Sequence, residues 1–179
     1  MPDSQQPSGH PIQEELRSEA GVITAGPARA VVMTESAYVF LTRIVCEHAP
    51  HIIKFAFYDM GYRVGQEMAG ALQDRAREPE AAFRHLVETY RQAGYGNLEV
   101  LGIDLSGPEA RLAGSGLFET SVAARSGIYR TPRCVDHYSR GLFAGFVSGL
   151  LGREVVCEEV SCQFRGDERC EFVVLPFER

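Results

Sequence analysis

The sequence is short of several things, and each shortage closes a class of function. Basic residues are outnumbered: 18 Lys and Arg against 24 Asp and Glu leave a formal net charge of −6. Such a chain has no electrostatic footprint for DNA or RNA, so direct nucleic-acid binding is not expected. No apolar run approaches the roughly 18 residues that a membrane span needs. The polar opening, Met1 to Glu15, lacks the apolar core and basic flank of a secretory signal. A cytoplasmic protein with reduced thiols is therefore expected. Gly114-Ser115-Gly116 lacks the third glycine and following helix of a phosphate loop, and no dinucleotide fingerprint or flavin site is evident. No Ser/His/Asp or Cys/His set has the spacing of a nucleophile with its base, so autonomous catalysis is not the leading expectation.

What is present suits one soluble domain. Over 179 residues, 45% hydrophobic and 23% charged is an ordinary globular balance with ample material for a core. Cysteine is scarce, five in all, yet four fall between Cys134 and Cys170. An odd, clustered set in a reducing compartment favours a metal over disulfides.

Cys162 and Cys170 lie symmetrically about Gly166, in a segment that suggests two strands around a short turn. A hairpin would bring their Cβ atoms to about 5 Å, which suits a shared metal or a disulfide. Cys134 and Glu159 would complete three thiols and a carboxylate, a zinc-like set of four. Glu159 and Cys162 are an odd number of residues apart, so a regular strand would point them to opposite faces. Both face one ion only if the backbone bulges between them. Glu158 is excluded by distance, since four residues of strand span about 13 Å. Cys157 shares a strand face with Glu159 and is a rival fourth ligand, or else a small buried residue.

Along the chain, residues 1–16 are expected to form a disordered tail and 17–179 a single domain. Arg29 to Met33 suggests a strand. Helices are predicted over Ala37–His48 after a Thr34-Glu35-Ser36 cap, over His51–Arg75, and over Pro79–Ala93 with Pro79 in the first turn and Gly94 as the stop. Gly61, Gly65 and Gly70 weaken the second of these and imply close approach of another backbone. Asn97–Leu105 and Ala110–Gly116 read as paired strands, with Phe118–Ser126 a short helix or a loop over a pocket. A last helix is predicted over Cys134–Leu151, capped by Thr131 with Pro132 behind it, and striped by Gly141, Gly145 and Gly149. Arg153–Phe164 and Glu168–Phe177 then form a hairpin. The expected class is α+β, with helices packed on one side of an antiparallel sheet, and the last helix and hairpin joined by a zinc site of three Cys and one Glu.

The motif Pro132-Arg133-Cys134, the Gly141–Gly149 helix and Glu159-x-x-Cys162-x(7)-Cys170-x-Phe172 resemble the 4-vinyl reductase, or hydrocarbon-binding, domain family. The likeness covers about Thr131 to Val174, with a weaker extension toward Arg29 through Asp59-Met60-Gly61 and Gly65. The family includes sensory domains of aromatic-catabolism activators and bacteriochlorophyll-biosynthesis proteins, and a related fold occurs in vesicle-tethering and nitric-oxide-sensing proteins. The resemblance implies that Cys134, Glu159, Cys162 and Cys170 hold a structural zinc. It implies no counterpart for the sensors' buried tryptophan, because this chain has none. With Arg179 as the last residue, no ATPase or DNA-binding output domain is expected.

Cys46 on an apolar helix is expected in the core. Phe118, Tyr129, His137 and Tyr138 are the expected ligand-facing residues, drawn from an aromatic set that otherwise builds core. The leading expectation is a zinc-stabilised, non-catalytic sensor, a homodimeric binding domain for a small hydrophobic or aromatic molecule. The alternative is a tetrapyrrole-pathway protein that assists or performs 4-vinyl reduction. A third reading makes the glycine-striped helix an interaction surface, and that reading fails if the helix is covered within one subunit.

Overall fold

The computed structural model describes residues 16–25, 28–73, 78–107, 109–131 and 133–177. The expected tail falls almost wholly outside them, as does Pro132. The chain divides into two compact units, residues 1–34 and 35–179.

The first unit is a three-stranded antiparallel meander, β1 (Leu16–Glu19), β2 (Val22–Ala25) and β3 (Ala28–Ala30). Glu19 pairs with Val22, leaving Ala20 and Gly21 as a two-residue turn with φ of 49° and 78°. Two positive φ values match the right-handed twist of the flanking strands. The strand expected through Met33 stops at Ala30. Val31 and Val32 are 81% and 86% exposed, so no burial holds their side chains to a pleat.

The second unit contains α1 (Glu35–His48), α2 (Ile53–Gln73), α3 (Pro79–Gln92), β4 (Asn97–Asp104), β5 (Glu109–Ser115), α4 (Phe118–Ser126), α5 (His137–Leu151), β6 (Val155–Ser161) and β7 (Cys170–Pro176). Its sheet has the order β4-β5-β7-β6, antiparallel throughout, so the class is α+β as expected. α3 follows its sequence pattern closely: Pro79 opens it, and Phe83, Leu86, Val87 and Tyr90 are buried. A register shift between Val100 and Gly102 explains the imperfect alternation of β4. No helix among the described residues is long and apolar enough to cross a membrane.

α5 is the axis of the unit, with eleven of its fifteen residues buried. α2 crosses it at backbone contact. A Cβ added at Gly141 or Gly145 would collide with the carbonyl oxygens of Tyr58 or Tyr62, and one at Gly61 or Gly65 with those of Tyr138 or Leu142. The glycines cost helix propensity, and the loss is offset by packing that any side chain would forbid. Gly70 departs from this expectation, since nothing lies within 4 Å of its added Cβ. On its sheet side, α5 sets Phe143 against Phe172 of β7, with ring centroids 5.5 Å apart. The helix is thus covered within one chain, which removes the reading of its glycine stripe as an interaction surface.

Two boundaries differ from expectation. α5 begins at His137 rather than Cys134, with Asp136 at the N-cap position. Its first N–H groups are satisfied from elsewhere in the fold: the Glu119 carboxylate accepts from Tyr138 N at 2.8 Å and Ser139 N at 2.9 Å. The hairpin turn is also longer than expected. β6 ends at Ser161, a 3₁₀ turn spans Gln163–Arg165, and Gly166 takes φ of 104° before β7 opens at Cys170.

Candidate metal and ligand site

Three elements converge at the N-terminus of α5. β6 supplies Glu159. Its pairing runs Glu159 with Phe172 and then Ser161 with Glu171, so Val160 is an extra residue and the expected bulge is present. Cys162 follows that bulge, and Cys170 opens β7. The fourth group is Asp136. One ligand atom from each of Asp136, Glu159, Cys162 and Cys170 lies within 4.8 Å of every other, and all four residues are buried.

The structure therefore unites three of the four expected ligands and sets Cys134 outside the group. The Cys134 thiol, half-buried, donates to the Glu159 carbonyl at 3.2 Å. Burial pushes it up to about 11. Cys157 is fully buried and also lies outside the group. Asp136 escaped the sequence analysis because the Pro-x-Cys pattern drew attention two residues upstream. Its signal was an acidic residue immediately before the apolar helical run, an N-cap position.

The hydrogen bonds around the cluster serve every polar atom but one. Thr120 Oγ1 donates to both Asp136 oxygens, at 3.1 and 3.0 Å. Asp136 N donates to Glu159 Oε2 at 3.0 Å, and Gln163 N to Cys170 Sγ at 3.3 Å. Asp167 Oδ2 accepts from Cys162 N at 2.8 Å and steadies the turn. Glu159 Oε1 is buried with no partner. Burial raises Glu159 to about 8, and burial with the neighbouring Glu159 charge holds Asp136 well above the carboxylate range. Cys162 is lowered to about 6, chiefly by its hydrogen bond with Cys170, whose own thiol is raised. Two carboxylates and two thiols this close repel when ionised, and a buried oxygen without a partner is costly. Two sulfur and two oxygen donors around one point suit a thiophilic divalent cation such as zinc, and not magnesium or calcium.

Beside this cluster lies a narrow cleft of about 20 Å³, whose lining includes Tyr38, Thr42, Phe57, Glu119, Tyr129 and His137. At that volume it has room for about one water, so an aromatic ring enters only if side chains move. Ile53, Tyr129 and His137 also line a much larger open concavity of about 1190 Å³, between α1, the start of α2 and the segment 126–140. Of the expected ligand-facing residues, Tyr129 and His137 line both spaces. Phe118 and Tyr138 line neither. They stand behind the cleft, Phe118 against Tyr38 at 5.0 Å and Tyr138 stacked on Tyr95 at 5.5 Å. Cys46, expected in the core, is partly exposed on the concavity wall.

His137 is 8% exposed, and its Nδ1 has no hydrogen-bond partner. Burial, then the positive charges of Arg140, Lys54 and Arg133, lower it to about 4, so the imidazole is neutral near pH 7. Tyr38 and Glu119 are site residues that sequence reasoning missed. Nothing local marks them, since one faces the cleft from α1 and the other from α4. Burial and the Asp136 charge raise Glu119 to about 8, against three hydrogen bonds from Tyr138 and Ser139 that favour its ionised form.

Residues 119–176 match the family model of the 4-vinyl reductase domain. No curated protein matches the chain in sequence. Among solved structures, the chain is similar to the phenol-responsive sensory domain of the transcription activator PoxR with phenol. The TM-score is 0.83 at 19% identity, over 92% of this chain and 86% of that one. It is also similar to a vinyl-4-reductase family protein from Methanocaldococcus jannaschii, at TM-score 0.55 and 16% identity over 83% and 85% of the two chains. A trafficking protein particle complex subunit 3 from Naegleria fowleri, covalently bound to palmitic acid, gives 0.54 and 16% over 80% and 93%. At such identities the likeness establishes the fold. Asp136, Glu159, Cys162 and Cys170 all fall inside the matched segment, and the chain carries a 4-vinyl reductase domain across residues 119–176, in a fold shared with the PoxR sensory domain.

Proposed function

We propose that the chain is a non-catalytic sensor domain that binds a small hydrophobic or aromatic molecule beside a structural zinc, acting in the cytoplasm as a homodimer. The observation that carries the reading is the adjacency of a buried metal-like cluster and an aromatic cleft, both meeting at the first turn of α5. Asp136, Glu159, Cys162 and Cys170 would hold the ion, with Cys134 as a neighbour to the set. Zinc would supply a fixed positive charge that ties α5 to the β6–β7 turn. The residues of the chain do the rest. Tyr38, Phe57 and Tyr129 offer apolar and aromatic surface to a ligand, and His137 offers one unused ring nitrogen. A ligand that wedges the cleft open would be favoured by one conformation over another, which is the requirement for signalling.

The dimer reading is supported by α1. Only Val39 and Thr42 of its residues are buried, while Phe40, Leu41 and Ile44 are 60%, 46% and 54% exposed. A second copy covering this face would account for that apolar surface.

Elemental analysis of purified protein tests the metal, beside Asp136→Asn, Cys162→Ser and Cys134→Ser. About one zinc per chain, lost in the first two variants and retained in the third, is the expected result. Absence of zinc in reduced, never-chelated protein would overturn the metal. Calorimetric titration with phenol and toluene tests the ligand, and absence of binding by any small apolar molecule would overturn the sensor reading.

A tetrapyrrole carrier is the second reading, favoured by the 1190 Å³ concavity. Saturable binding of a porphyrin with a shifted Soret band would support it. A flat titration would remove it.

A further inference from the structure

The chain is acidic overall, yet the wall of its large concavity reverses that sign. Arg43, Lys54, Arg130, Arg133 and Arg140 stand around it, and Glu47 is the one carboxylate in the lining. These cations are poorly neutralised. Arg140 pairs with Glu158 at 3.1 Å and also donates to the Cys157 carbonyl. Among the described residues, none of the other four pairs with a carboxylate. Arg43 is engaged by the backbone, donating to the Ser126 carbonyl at 2.7 Å and the Arg125 carbonyl at 3.2 Å. Arg133 donates to the Thr131 hydroxyl and lies over the Tyr129 ring, 5.6 Å from its centroid. Lys54 lies 5.0 Å from the Phe55 ring centroid.

Like charges gathered around one hollow repel each other, and an anion relieves that repulsion. The hollow also has a floor. His137, more than nine-tenths buried and with Nδ1 unpartnered, lines it together with Tyr129 and Ile53, and beyond them lies the aromatic cleft. A neutral hydrocarbon or a simple phenol would use the floor and leave the rim unmatched.

Given a small-molecule site as proposed above, we infer that its ligand is an amphiphilic anion, an aromatic or aliphatic acid. Its apolar body lies against Ile53 and Tyr129, and its carboxylate is held at the rim by Arg130 and Arg133, with Lys54 across from them. Guanidinium groups suit this role because their paired N–H donors match the two oxygens of a carboxylate. Arg133 is partly oriented already by the Tyr129 ring, so it gives up less freedom on binding.

A matched pair of dyes tests the inference on the full, metal-loaded chain. 1-Anilinonaphthalene-8-sulfonate and N-phenyl-1-naphthylamine share one aromatic body and differ in the sulfonate. Fluorescence titration should show the sulfonate binding about tenfold tighter than the neutral dye. That advantage should shrink in high salt. It should disappear in R130Q/R133Q, with the neutral dye unaffected, and persist in Arg84→Gln, an exposed change on α3 away from the concavity. Benzoate or decanoate should displace the sulfonate, and benzyl alcohol or decanol at the same concentration should not. Equal affinity for the two dyes, with no response to R130Q/R133Q, would overturn the acid preference and leave the small-molecule reading standing. A sulfonate advantage that survives both R130Q/R133Q and Lys54→Gln would overturn the assigned rim. Failure of both dyes and all four competitors to bind would overturn the inference together with the reading beneath it.

Discussion

α5 and α1 are of similar length and both belong to the 35–179 unit, yet they meet their surroundings in opposite ways. α5 is buried along most of its length, its glycines pressed on the α2 backbone and its first turn held by carboxylates from α4 and β6. α1 buries two side chains and shows three large apolar ones to the outside. The contrast separates what the fold requires from what it leaves available. α5 has no free surface for a partner, so binding falls to the rim that α1, the start of α2 and the 126–140 segment build around its N-terminus.

The sharpest way to break that contrast is to crowd α5. Gly145→Val places a side chain against the Tyr62 backbone and should destabilise the protein by more than about 4 kcal/mol, read as loss of the cooperative thermal transition. Gly70→Ala is its counterpart on α2. With open space around it, the change should stabilise by about 0.5–1 kcal/mol in denaturant melts.

Next in size is the metal. Chelation, or Asp136→Asn, should lower the melting temperature by the equivalent of roughly 4 kcal/mol, while Cys134→Ser changes it little.

The third effect is a pH dependence. Glu119 carries a folded-state value of about 8 against an ordinary 4.5. The folded protein therefore holds this proton more tightly than the unfolded chain. Its contribution is full below about pH 4.5 and is lost as pH rises through about 8. Stability of metal-loaded protein should fall across that window by on the order of 2 kcal/mol. Glu119→Gln should flatten the curve. Metal-free protein should slope more steeply, because Glu159 then titrates in the same range.

The smallest effects belong to the open face. Phe40→Asp should leave unfolding within about 0.5 kcal/mol for the monomer while shifting sedimentation from dimer to monomer. Removing the exposed Asp59–Arg63 pair, 2.9 Å apart, should cost no more than about 0.5 kcal/mol. A Phe40→Asp protein that stays dimeric would move the interface elsewhere.

Much of this was legible in the sequence. The stripe of α3 with its opening Pro79, the close approach marked by Gly61, Gly65, Gly141 and Gly145, and the bulge between Glu159 and Cys162 all follow from short-range periodicity and spacing. These features depend on residues a few positions apart, whose geometry the local backbone dictates. The start of α5, the place of Asp136 beside Glu159 rather than Cys134, and the basic rim facing a buried histidine were decided by tertiary structure. Each joins groups from separate elements: Glu119 to Tyr138, Asp136 to Glu159, and Lys54 of α2 to Arg130 beyond α4. A hydrogen bond or charge contact across such a separation has no period in the chain and exists only once the packing of α5 has brought its partners together.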